Sequence, residues 1–268
     1  MRIKLNEITP TRVVQAIERR IKNIPHSNEW LYSQIGKNNQ QLLRQYHNKH
    51  KGKRCFIIAN GPSLATMDLS PLKNEITFGM NRLYLIFDKI GFVPTYYSVI
   101  NELVIQQFAK DLEALPTTLF LNWTERGLFA NNSSSVNYLR NYYDLEDKFS
   151  RDITQGIYSG GTVTYATLQV AYYMGFSEVY IIGMDHNFAD KGRPNATEVR
   201  KDAEDKNHFH PDYFPKGMKW QLPDLYRSEL AYAQARQSFE KEGRKVIDAT
   251  VNGKCTIFEK GSFTDLFR

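Results

Sequence analysis

The succession of short apolar runs after residue 54 limits the fold of this chain more than any other feature. Runs near 54–59, 76–80, 95–99, 117–121, 178–183 and 245–249 are too short for helices and rich in Ile, Val, Phe and Tyr, so they predict strands. Stretches near 102–113, 163–174 and 225–242 carry helical spacing. Strands alternating with helices predict an α/β chain with a mostly parallel sheet and helices on both faces. The stretches 122–153 and 186–224 show neither period; at that length they read as lids or binding elements, or hide short helices. The run "NNSSS" at 131–135 reads as a surface loop.

At 268 residues and 41% apolar content the chain can bury one large core. Its charge divides it differently. Residues 1–50 hold nine Lys and Arg against three Glu, a balance of +6 that equals the net charge of the whole chain. The expected organisation is therefore a basic helical segment, 1–50, followed by one large α/β domain, 51–268, with a lid-like region around 186–224. Val13, Val14, Ile17, Ile21 and Ile24 fall at helical spacing among Arg12, Arg19, Arg20 and Lys22. That pattern suits a helix lying on an anionic membrane surface, and equally a solvated helix packed on the main domain. Nothing approaches the roughly 20 apolar residues of a membrane span, and the first residues do not read as a signal peptide. The expected location is the cytoplasm, peripheral to the inner membrane face if residues 1–50 bind lipid. No zinc knuckle, aromatic RNP signature or recognition-helix pattern points to nucleic acid. Cys55 and Cys255 fit neither a metal spacing nor a disulfide framework, so no metal site is expected from them.

Polar loops follow the predicted strands. They are Asn60-Gly61-Pro62-Ser63, Asn81-Arg82, Asn101-Glu102, and Gly183-Met184-Asp185-His186-Asn187. In a parallel sheet all four gather at one edge, where open α/β sheets bind ligands. Each Asn alone is commonly a turn residue or helix cap, but amides both donate and accept, so their repetition suits a base and a ribose. Ser159-Gly160-Gly161-Thr162 precede a helix and offer backbone N–H groups to a phosphate, or simply cap it. The run is neither a Walker loop nor GxGxxG. In "KNHFHPDYFPKGMKW", His208 and His210 stand two apart without a third ligand, which disfavours a metal and favours a general base or a surface position. Tyr213 and Lys216 could meet phosphate charge, and Asp185 with His186 could hold a divalent ion or orient an imidazole.

"IIANGPSL", "FGMNRLY", "SGGTVTYATLQVAYYMGFSEVYIIGMDHNF" and "GRKVIDATVNGKCTIFEK" together resemble the MptE-like 6-hydroxymethylpterin diphosphokinases and the central domain of the motility accessory factors that glycosylate flagellin. The resemblance covers about residues 52–260. A more distant similarity is to small bacterial sialyltransferases that use CMP-sialic acid, which carry Gly-Asn-Gly-Pro-Ser where this chain has Ala59-Asn60-Gly61-Pro62-Ser63. The resemblance implies a Rossmann-like fold of the GT-A type. It also implies a nucleotide site built from Asn60, Gly61, Ser63, Asn81, Asn101, Ser159 and Gly160, to which Gly161 and Asp185 are adjoined. His210 is the match for the family base, with His208 second. No Tyr follows the Gly-x-Asp strand end, so His186 or Tyr213 would have to assist the leaving phosphate.

The first expectation is a glycosyltransferase moving a CMP-activated acidic sugar to a surface glycan or protein, with no cofactor beyond the nucleotide sugar. The second is an ATP-dependent 6-hydroxymethylpterin diphosphokinase, which would need Mg²⁺, with Asp185 as a candidate ligand. The third is a nucleotide-binding protein without catalysis.

Overall fold

The computed structural model describes residues 10–129, 135–142, 146–190, 192–201 and 205–268. The chain opens with α1 (Pro10–Tyr32) and α2 (Gln34–Arg44), then runs through β1 (Arg54–Ile58), β2 (Thr77–Met80), α3 (Phe87–Ile90), β3 (Tyr96–Val99), α4 (Glu102–Glu113) and β4 (Thr118–Asn122). Then come β5 (Val136–Leu139), β6 (Asn141–Tyr142), β7 (Ile157–Tyr158), α5 (Val163–Tyr173) and β8 (Glu178–Ile182). It ends with β9 (Thr197–Val199), β10 (Lys219–Gln221), α6 (Leu225–Glu240), β11 (Lys245–Asp248) and β12 (Glu259–Lys260). Eight strands form one sheet in the order β12-β11-β8-β1-β2-β3-β4-β5, and every pair in it is parallel. This is the expected Rossmann-like α/β architecture.

The reason lies in the strands. Residues 55–58 of β1 are all buried, and successive side chains enter opposite cores. Cys55 and Ile57 join the core under α5 and α6, while Phe56 and Ile58 join the core under α4. A strand buried on both faces needs a continuous apolar run, which is what the sequence carries there. α5 is buried along its whole length from Thr164 to Tyr173, as an all-round apolar helix must be. Both cysteines are free and buried, and burial pushes the Cys55 thiol up.

The stretches without a clear period are not structureless. Between 122 and 153 lie the edge strand β5 and the short β6; between 186 and 224 the strands β9 and β10 form an antiparallel pair, Lys219 opposite Val199. These strands are two to four residues long and β9 is fully exposed, so no apolar run marked them. The "NNSSS" stretch lies outside the described residues except for Ser135, whose carbonyl accepts from the Leu119 N–H at 2.8 Å.

The end of α1 and α2 share the main core. Trp30 and Leu43 are fully buried in the same cluster as Ile57 and Phe120. Trp30 meets Trp123 edge to face, with centroids 5.1 Å apart, and the Trp123 indole N–H donates to the His26 carbonyl at 2.9 Å. Arg126 pairs with Glu29. The apolar stripe of α1 faces solvent, with Val13, Val14, Ile17, Ile21 and Ile24 between 43% and 60% exposed. Arg19, Lys22, Asn23 and His26 fall instead on the Trp30 side of the helix and overhang a cavity. No helix among the described residues is long and apolar enough to cross a membrane.

Trp30→Ala should therefore cost about 3–5 kcal/mol in urea denaturation, as for a large core side chain. Ile21→Ser, on the outward stripe, should stay within about 0.5 kcal/mol. Equal effects would mean that α1 does not belong to the core.

Candidate active site

After β1 the chain steps one way across the sheet, through β2 to β5, and it returns to place β8 on the other side of β1. Loops leaving β1 and β8 thus diverge, and a crevice opens between them at the carboxyl ends of the strands. A cavity of about 150 Å³ occupies it, lined by Asn60, Gly61, Asn81, Asp185, His186 and His208 among others. A larger one, about 450 Å³, adjoins it, and the two share Gly161, Thr162 and Val163 at the start of α5. Asn101 and Ser159 line only the larger cavity. The predicted loops therefore do converge, but on two neighbouring cavities.

Asp185 fastens the β8 loop to the β1 loop. Its Oδ1 accepts from the Ser63 N–H at 3.1 Å and its Oδ2 from the Ser63 hydroxyl at 2.8 Å. Ser63 is thus the partner of Asp185 and does not line the smaller cavity, where it was expected to meet the nucleotide. A Cβ at Gly61 would collide with that carboxylate and stand 2.6 Å from the Gly183 carbonyl oxygen, so only glycine fits the crossing. Asn60 and Asn81 are different. Each has a buried Oδ1 with no partner among the described residues, and both side chains line the cavity. A buried acceptor left unpaired costs about 1–3 kcal/mol, a deficit that a donor on a ligand would remove. Asn81 also holds a left-handed backbone, φ 49°, at the turn out of β2.

At the α5 end, Thr162 Oγ1 accepts from the Thr164 N–H at 3.3 Å and so caps the helix. Gly160, φ 55°, could not carry a Cβ without meeting Tyr165 and coming within 2.6 Å of Ala231 Cβ. Arg227 holds the loop from behind. It donates to both Asp147 oxygens, at 2.6 and 2.9 Å, and to the Ser159 hydroxyl at 3.2 Å, while Gly160 N–H donates to Asp147 Oδ1 at 3.2 Å. Burial alone would lower Arg227, but hydrogen bonding to Asp147 outweighs it and raises its pKa.

The histidines separate clearly. His208 lines the smaller cavity; its Nδ1 lies 2.9 Å from Asp205 Oδ2, and its ring stacks on Tyr213 at 3.9 Å with a 3° interplanar angle. A carboxylate at Nδ1 takes the N–H there and leaves Nε2 as the acceptor. Burial would raise the Asp205 carboxyl, yet His208, the Asn207 N–H and Arg200 hold it below its ordinary value. His186 also lines the cavity, with Nε2 3.0 Å from Glu229 Oε1. His210 lines neither cavity, and its Nδ1 accepts from the Asp212 N–H at 3.1 Å, so of the two histidines expected near the acceptor only His208 faces the crevice. Tyr213 is fully buried beneath His208 and cannot reach a leaving phosphate. Burial pushes its phenol up, so it stays protonated.

Asp205, Arg227 and Asp147 were missed in the sequence, and Arg82 was named there only as part of the loop after β2. Arg82 donates to the carbonyls of Asp212 (2.7 Å) and Tyr213 and lies 4.0 Å above the Phe108 ring; Phe209 N–H donates to the Asn60 carbonyl at 3.1 Å. These bonds dock residues 205–214 on the β1 and β2 loops. The signal available was the i,i+3 spacing of Asp205 and His208. Mg²⁺ fits these residues poorly. Asp185 is the one acid among the described residues lining the smaller cavity, and both its oxygens are already engaged by Ser63.

A family model described as 6-hydroxymethylpterin diphosphokinase MptE-like matches residues 29–191. The chain belongs to the MptE-like family. The match includes Trp30 and the β1, β2 and β8 loops, and it stops short of Asp205 and His208. Among solved structures, the MAf glycosyltransferase from Magnetospirillum magneticum AMB-1 has a TM-score of 0.51 at 14% identity, over 84% of this chain and 38% of its own. The MptE-like chain thus spans under two fifths of that protein, and the likeness is one of fold. The sialyltransferase CstII from Campylobacter jejuni, solved with CMP-3FNeuAc, gives a TM-score of 0.43 at 14% identity, over 78% of this chain and 85% of its own. A search of curated proteins gives no match.

Asp205 sets a pH dependence. Its folded pKa lies below the unfolded one, so it stabilises the fold above about pH 4, and this is lost as pH falls through the folded value. Asp205→Asn should lower stability at pH 7 by about 1–3 kcal/mol and flatten the acid limb of a denaturation series. An unchanged acid limb would separate Asp205 from His208.

Proposed function

We propose that this MptE-like chain is a glycosyltransferase that takes a sugar from a nucleotide donor, with a CMP-linked acidic sugar as the favoured donor. The observation that carries the reading is the crevice between β1 and β8, where two amides with unpaired oxygens face an imidazole whose free nitrogen is set by Asp205. Asn60 and Asn81 would hold base and ribose. The first turn of α5, at the junction of the two cavities, would face the phosphate with its N–H groups and the positive end of the helix dipole. The sugar would then lie at that junction, its anomeric carbon turned toward His208 in the smaller cavity, and the acceptor would reach in from the larger one. As the acceptor hydroxyl attacks the anomeric carbon, its proton passes to His208 Nε2 and the new C–O bond forms. The bond from carbon to phosphate breaks, and its electron pair leaves with the nucleoside monophosphate. Asp205 stabilises the imidazolium, and Tyr213 keeps the ring flat beneath the site. The shared fold with a glycosyltransferase supports this reading. The family description favours the rival, diphosphate transfer from ATP to a pterin.

Calorimetry with CMP, UMP and ATP, followed by turnover of a CMP-sugar panel, tests the proposal. CMP should bind best, and Asn60→Ala should weaken it by about 1–3 kcal/mol. His208→Ala should lower turnover by about 10² to 10⁴ with nucleotide affinity unchanged, whereas His210→Ala should leave both alone. EDTA should not inhibit, because Asp185 is committed to Ser63. EDTA-sensitive diphosphate transfer from ATP that survives His208→Ala would overturn the reading in favour of the diphosphokinase.

The outward stripe of α1 supports contact with a membrane surface. Because Arg19 and Lys22 lie on the opposite side of the helix, that contact would be chiefly apolar. Sedimentation with vesicles should persist at about 1 M salt, where charge attraction is screened. Release by salt would return the contact to electrostatics.

A further inference from the structure

The larger cavity has an unusual wall. About 450 Å³ in volume, it has no Phe, Tyr or Trp among the described residues that line it, and seven of those are carboxamides. Apolar ligands and nucleobases need flat carbon surfaces, and this wall offers none. It is built to exchange hydrogen bonds with a ligand carrying many hydroxyls. One of its amides stands out. Asn141 is 8% exposed, and its buried Oδ1 has no partner among the described residues, so it awaits a donor from the cavity side.

The charges of the wall come from a different element. Residues 19, 22, 23, 26 and 30 fall on one face of α1, and Trp30 clamps that face to the body of the protein. The preceding turns are therefore held over the cavity, where Arg19 and Lys22 contribute to the lining. Neither has an acidic partner among the described residues. The third cation, Arg227, is already paired with Asp147. The acids on the same wall are Glu102 and Glu125; Glu125 accepts from the Gln106 amide at 3.0 Å and the Thr124 hydroxyl at 3.3 Å. Burial and the neighbouring Arg126 push His26 down, so the imidazole stays neutral at pH 7 and leaves Arg19 and Lys22 as the available positive charges.

We infer that the larger cavity binds the acceptor, and that the acceptor is an anionic saccharide whose carboxylate or phosphate is met by Arg19 and Lys22. The inference rests on the glycosyltransferase reading for its name of acceptor, but not for the site itself. Arg19 and Lys22 precede the segment that matches the family, so this specificity is a property of the N-terminal helix of this chain. A serine or threonine of a protein acceptor would use little of the amide-rich wall.

Saturation-transfer NMR on the full chain with excess CMP provides the test, using sialyllactose, lactose and a Gly-Ser-Thr-Gly peptide as probes. Sialyllactose should bind, lactose about tenfold more weakly, and the peptide not at all. Arg19→Ala combined with Lys22→Ala should bring sialyllactose down to the level of lactose without altering lactose binding or CMP affinity, and Arg19→Lys should restore part of the preference. A phosphorylated sugar, glucose 6-phosphate, against glucose separates phosphate from carboxylate recognition. Binding of the peptide equal to that of sialyllactose, absence of binding by every saccharide, or an undiminished acid preference in the double variant would overturn the inference. Loss of the nucleotide reading would show differently: CMP would fail to bind in calorimetry while the preference for acidic saccharides persisted.

Discussion

One carboxylate holds the two sides of the crevice together. Asp185 leaves β8, crosses to the loop after β1 and takes both an N–H and a hydroxyl from Ser63, so the loops stay close at the point where their strands send them apart. Gly61 makes the crossing possible because its missing side chain is the space the carboxylate occupies. The amides of Asn60 and Asn81 are then left facing a cavity with oxygens unpaired, and the stretch carrying His208 docks on the Asn60 carbonyl through Phe209. A carboxylate satisfied in this way is a structural tie, which weakens its standing as a metal ligand.

The rest of the site divides between a rigid floor and a docked cover. α5, buried throughout, fixes the floor, and Arg227 with Asp147 braces the glycine loop that precedes it. The cover, residues 205–214, has little regular structure of its own. It is held by Arg82 gripping two of its carbonyls and by Phe209, Tyr213 and Phe214 entering the core. Asp205 and Asn207 of the cover join Asp190 and Arg200 in a polar network beside the imidazole, with Asn207 Nδ2 and Arg200 Nη1 both 2.6 Å from Asp190 Oδ2. Polar groups tied to one another in this way hold the imidazole in one orientation.

The sheet was legible in the sequence because burial on both faces demands unbroken apolar runs, and each long run became a strand where expected. β5, β9 and β10 were not, since edge and hairpin strands need only a few residues and can be polar. The convergence of the Asn60, Asn81 and Asp185 loops followed from parallel order alone. The roles within the cover did not. His208 and His210 are equivalent in sequence, and only the chain path at Phe209 decides that one faces the cavity while the other faces Asp212. Tyr213 read as a polar group near phosphate, but its ring is what the core accepted. The cations of residues 1–50 suggested a lipid surface, and the position of Trp30 on the same face as Arg19 and Lys22 turned those two to the cavity instead.

The tie between Ser63 and Asp185 closes over 122 residues of chain, and β1 reaches β8 across a comparable span. Contacts so distant in sequence form late, after the loop entropy between them has been overcome. A nascent chain that has completed β1 to β5 already carries Asn60, Asn81 and Asn101, yet it lacks the strand that covers one long edge of β1. Until β8 arrives, that edge is an exposed row of backbone donors and acceptors in the most apolar strand of the molecule. The same pairing that creates the crevice therefore also ends the interval in which the half-made sheet is open to another chain.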